Sequence, residues 1–160
     1  MELAEKIEFA LVAYLQTKTY PDYFVASDQV KPGESDEDLA AQYVRCWAAE
    51  NAEAETPQST GNFWYQAEVE VRTPTRIQTD ADLASSLSTD STSQLDKHQA
   101  VAAVVEDAIL IDDLPEVLTA AGTDFHVFAV HDRQPTRAQN DEVYSSGILL
   151  RLYCCSLALV

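Results

Sequence analysis

The chain has 160 residues, 46% of them apolar, and a formal net charge of -17 from 27 acids against 10 Lys and Arg. That length suits one domain able to bury a core without disulfide staples. So acidic a surface repels phosphate, which excludes an ordinary nucleic-acid binder, and three cysteines (Cys46, Cys154 and Cys155) are too few for a disulfide framework.

Residues 2–17 have helical spacing, with Leu3, Ile7, Ala10, Leu11 and Tyr14 on one stripe. Glu2 and Glu5 fall in the first turn, where the helix dipole favours acids, and an acidic start is unlike a secretory signal. Phe9 and Val12 lie off the stripe, so the helix is expected to offer a second contact surface there. Residues 18–38 read as a connector that contains Tyr20, Tyr23, Phe24 and Val25, so part of it is expected to pack down, with Val25 opening a short extended piece. Leu39–Ala49 reads as a strand, and residues 50–61 as a polar loop.

Asn62–Thr73 alternates strictly. Phe63, Tyr65, Ala67, Val69 and Val71 face one way; Trp64, Gln66, Glu68, Glu70 and Arg72 face the other. Period-2 alternation marks a sheet with one covered face, and Pro74 stops the strand. The Ser/Thr/Asp-rich stretch 75–94 reads as a long loop, a candidate to order against a neighbour through Leu83 and Leu87. Residues 95–111 form a helix on the stripe Leu95, His98, Ala102, Val105 and Ile109. A short second helix follows from Leu114, with Asp113 as its N-cap and Gly122 at its end. Residues 124–132 read as a strand with Phe125, Val127 and Ala129 opposed to His126, Phe128 and Val130. A polar loop spans 133–145, and a last strand runs over 146–157 with Ile148, Leu150, Leu152 and Cys154 on one face. The expected fold is therefore a single α+β domain over 1–160: an antiparallel or mixed four-stranded sheet with helices on one face. The closing run Ile148–Val160, broken by Arg151, is too short to cross a bilayer.

Catalysis needs convergent polar groups, and few are in evidence. The odd separation of His126 and His131 along a strand predicts opposite faces, and His98, His131 and Cys154 lack metal-ligand spacing. Glu68, Glu70 and Arg72 share a strand face in the manner of a metal-dependent nuclease. The base is Arg rather than a proton-handling Lys, however, and the global charge opposes DNA. No glycine-rich phosphate loop and no nucleophile elbow occur. The expectation is a protein that is not an enzyme and needs no cofactor or metal.

This order of elements resembles the phage tail terminator or tail-completion family of the lambda type. The resemblance rests on the amphipathic N-terminal helix Leu3–Leu15, the strand Phe63–Arg72, the polar stretch after it, the helix Val101–Leu110 and the closing strand pair. It spans nearly the whole chain without a specific motif. It implies a virion protein at the head–tail junction, assembled in the host cytoplasm. Such a protein self-associates into a ring, usually of six copies, that caps the tail tube protein and meets the head-completion protein. DNA would pass through such a ring without being held, which an acidic lining favours, and no membrane is involved. The candidate interface residues are Phe9, Val12, Leu83, Leu87, Glu68 and Glu70. A neck adaptor or tube subunit is the nearest alternative, and a metal-dependent nuclease a further one.

Overall fold

The alternating strand becomes the centre of a five-stranded mixed sheet in a computed structural model, which describes residues 2–33, 41–50, 62–75, 93–122, 124–139 and 143–156. In chain order the elements are α1 (Leu3–Gln16), α2 (Ala26–Gln29), β1 (Val30–Pro32), β2 (Tyr43–Glu50), β3 (Asn62–Pro74), α3 (Gln94–Ile109), α4 (Leu114–Ala121), β4 (Phe125–Gln139) and β5 (Val143–Ser156). The sheet order is β1-β2-β3-β5-β4. Antiparallel pairing joins β2 to β3, β3 to β5 and β5 to β4, and β1 lies parallel to β2. The α+β class is as read from the sequence; the fifth strand is β1, three residues long.

One face of the sheet carries the core. Val44, Cys46, Ala67, Val69, Val71, Ile148, Leu150, Leu152 and Cys154 are all buried. They meet Ile7, Leu11 and Leu15 of α1, Val101, Val105 and Ile109 of α3, and Leu114 and Leu118 of α4. Full burial of one such aliphatic side chain stabilises by about 1.5–3 kcal/mol, which fixes the register: a one-residue slip would turn the whole set to the other face. A few polar links tie the helices in place. The Tyr14 hydroxyl donates to the Ala108 carbonyl at 2.7 Å, and the Ala48 N–H, beyond the reach of short β1, donates to the Glu8 carboxylate at 2.9 Å.

Four expectations are corrected. Residues 133–139 and 143–145 are strand rather than loop, so β4 and β5 form one long hairpin. Their apolar signal is faint because Gln134–Gln139 are exposed, and pairing with β5 carries them. The extended piece begins at Val30 instead of Val25, which is the exposed N-cap of the one-turn α2. Leu95 is 41% exposed, and the buried stripe of α3 is His98, Val101, Ala102, Val105, Ala108 and Ile109. Finally, β4 carries register shifts between Val127 and Ala129 and between His131 and Gln134. The first exchanges Ala129 and Val130: Ala129 pairs with Tyr153, while Val130 pairs with Leu152 and packs on the core. Such bulges re-aim side chains and blunt an edge strand against unwanted pairing.

Candidate functional site

The bulge at Phe128 reverses the expectation for the histidines. His126 pairs with Cys155 and His131 with Arg151, two β5 positions an even number apart, so both histidines lie on the same face of the sheet, away from the helices. They join an aromatic cluster there. The ring of Trp64 lies 5.1 Å from Tyr153 and 5.4 Å from His131, with the Arg151 guanidinium 4.9 Å from its centroid. Phe128 lies 4.5 Å from His126 and 5.7 Å from Tyr153 and is 48% exposed. Arg151 donates from Nη1 to Asp132 at 3.0 Å, and its buried Nε has no hydrogen-bond partner. Asp132 sits in the left-handed region, φ 54°, within the second bulge. Sequence periodicity missed the cluster because a bulge, invisible to a strict alternation, assembles it.

Further along the same face stand Glu68 and Glu70. Glu68 pairs across the sheet with Trp47 and Leu149. Burial and then the neighbouring Glu70 raise its carboxyl above the usual range, and Arg72 opposes the shift. Glu70 accepts from the Ser145 hydroxyl at 2.8 Å and meets Arg72 Nε at 3.5 Å. Glu70 is thus paired with Ser145 and Arg72, while Glu68 carries the burial and like-charge penalty. Among the described residues no group of three or more His, Cys, Asp or Glu is placed to share a metal ion. His98, His131 and Cys154 stand apart: Cys154 is buried on the core face, His131 is on the open face, and His98 is engaged elsewhere.

His98 is the second feature. Its ring, on the first turns of α3, lies between Thr73 and Ser146, with Nδ1 2.8 Å from Thr73 Oγ1 and Nε2 2.7 Å from Ser146 Oγ. A cleft of about 470 Å³ opens beside it between α3 and the hairpin, lined by Tyr144, Arg137, Glu106 and Gln99 among others. A serine against an imidazole invites a nucleophile–base reading. The surroundings of the ring oppose it. Gln42 Nε2 donates both to Thr73 Oγ1 at 2.9 Å and to the Lys97 carbonyl at 3.2 Å, and a carbonyl accepts only from the amide nitrogen, so the amide orientation is fixed. Thr73 Oγ1 keeps a second lone pair and its own proton, so it pairs with either tautomer of His98; when it donates to Nδ1, Nε2 carries the N–H toward Ser146. In that tautomer His98 donates to Ser146 and has no lone pair to take its proton. Burial, followed by the charge of Arg137, lowers the imidazole pKa to about 4, too weak a base for neutral pH. The network joins β3, α3 and β5 and ties down both ends of the 75–94 stretch; at the same base Gln94 Nε2 donates to the Pro74 carbonyl at 2.9 Å.

The remaining candidates fall as follows. Phe9 is 48% exposed and borders a shallow groove with Ala13, Ala121 and Gly122. Val12 is buried, 8% exposed, so it belongs to the core edge more than to a free surface. Leu83 and Leu87 lie outside the described residues. Cys46 and Cys154 are buried thiols; burial pushes Cys46 up, and burial with Cys155 beside it pushes Cys154 up to about 12. Neither is a ready nucleophile. A scan against models of known protein families returns no match, and a search of curated proteins returns no significant relative.

Proposed function

We infer that this protein is a structural assembly subunit that acts through the sheet face that no described helix covers, closing the end of a phage tail tube as a ring and presenting a surface to the head-completion protein. The observation that carries the reading is the composition of that face. A solvated sheet face is ordinarily polar. Here Trp47, Trp64, Phe128, Leu149 and Tyr153 occupy it, beside Arg151. Trp, Tyr and Arg are the residues that dominate binding energy at protein interfaces. The acidity supports the same reading. Exposed Asp96, Asp107, Asp112, Asp113 and Glu116 crowd the α3–α4 segment, where Lys97 is the one Lys or Arg in residues 94–121, and a ring built of such subunits lets DNA slide without holding it. Phe9, Glu68 and Glu70 remain contact candidates, and the 75–94 stretch is proposed to meet the tube or a ring neighbour. The resemblance in element order supplies the place in the virion.

Electron microscopy of the tail tube protein polymerised with and without this protein tests the reading. Tubes ending in ring-shaped caps, with growth arrested, are expected. Tubes of unchanged length with bare ends would overturn it.

A further inference from the structure

The aromatic cluster has a counterpart on the same chain. Leu110 ends α3 with its side chain 48% exposed, and exposed Asp107, Asp112 and Asp113 surround it in sequence. The segment is held out rigidly. The Leu110 N–H donates to the Glu106 carbonyl at 2.9 Å, and the Arg133 guanidinium donates to the carbonyls of Ile109 and Ile111, a cation placed where a helix C-terminus favours one. Ile111 beside it packs on the core. The result is a single apolar knob with an acidic collar, braced from β4.

We propose that this Leu110 elbow seats in the Trp64–Phe128–Tyr153 socket of a second copy of the chain. The inference rests on reading the protein as a self-assembling subunit. Three observations carry it. The two surfaces match in kind, one exposed aliphatic side chain against an open aromatic cluster. They match in charge: the Arg151–Asp132 pair gives the socket a cation balanced by one acid in a chain of net charge -17, so it accepts an acidic collar that most of the surface would repel. They also lie on opposite faces of one edge strand: Arg133 of β4 holds the elbow from the helical side, while Phe128 and His131 of β4 face the open side. Each copy therefore offers a knob one way and a socket the other. Such a heterologous contact propagates head to tail and closes into a ring when the rotation permits.

Cysteines at the rims test it while leaving Leu110 and the Trp64, Phe128 and Tyr153 rings in place. In a Cys155→Ser background, which removes the half-buried thiol on the open face, proteins carrying D112C and H131C separately are mixed and treated with a short bis-maleimide. The expected product is the mixed dimer in excess over the two homodimers together, since random collision makes those amounts equal. Adding Leu110→Arg or Phe128→Ala returns the products to that random ratio, while the melting temperature of these exposed-site variants stays near that of the parent. Random statistics in the parent, or an excess of the H131C homodimer, overturns the contact. The double variant D112C/H131C on one chain separates this inference from the ring itself. A closed product of one size supports both. An open ladder supports the contact and overturns the ring. Random cross-linking alongside a fixed-size native oligomer overturns the contact and leaves the ring reading standing.

Discussion

Thr73→Val probes the buried His98 network at nearly constant shape. Thr73 is fully buried, and its Oγ1 serves two partners, His98 Nδ1 at 2.8 Å and Gln42 Nε2 at 2.9 Å. Valine fills the space and satisfies neither. Gln42 keeps its bond to the Lys97 carbonyl, so the main loss is the stranded Nδ1 of His98. A buried polar atom left unpaired costs about 1–3 kcal/mol, so a destabilisation of about 2 kcal/mol is expected. In a domain of this size that lowers the melting temperature by about 4–8 °C. Urea unfolding measures it as a lower midpoint with unchanged slope. Adding His98→Leu removes the stranded atom itself, so the double variant should lose about 1 kcal/mol less than the sum of the singles. A Thr73→Val protein within about 0.5 kcal/mol of the parent, or strict additivity, would refute the network as drawn.

The pH dependence follows from the same residue. His98 is held at a pKa of about 4, below the 6.5 of an exposed imidazole, so between those values the unfolded chain binds the extra proton. Stability is therefore lost as pH falls through that window, by at most about 1.4 kcal/mol per pH unit. The difference between the parent and His98→Gln across a pH series of urea midpoints isolates this contribution, and parallel curves would contradict it. Glu68 has the opposite sign. Its raised carboxyl makes the charged form unfavourable in the fold, so Glu68→Gln should gain about 0.5 kcal/mol at neutral pH, read by thermal melting, and lose that gain as pH falls through the raised pKa of Glu68. Gly122→Ala would press a methyl into the Phe125 ring, fully buried at the start of β4. A loss of about 1–3 kcal/mol in the same denaturation assay is expected, and a neutral result would show that the ring has room to move.

The core was legible where burial imposes a period. The alternation of 62–73 and of 148–154 follows from one face being dry, and the α1 stripe follows from its packing on β2 and α4. The distal hairpin was not legible, because Gln134–Gln139 bury neither face and leave no period to detect. Short β1 was equally hidden: its parallel partner, β2, begins more than ten residues away, and only Val30 is buried. Candidate sites fared less well for a related reason. Thr73, His98 and Ser146 meet through tertiary pairing of three elements, and the aromatic socket depends on a bulge that puts His126 and His131 on one face. Glu68 and Glu70 were placed correctly on a strand face away from the core, yet the aromatic residues beside them carry more of the binding argument.

Native mass spectrometry of the purified protein, alone and mixed with the tail tube protein, tests the central claim most directly. A closed oligomer of one fixed copy number, formed alone or on the tube subunit, is the result expected of a ring-forming assembly subunit. A monomer under both conditions, at concentrations that saturate the tube ends, would contradict it.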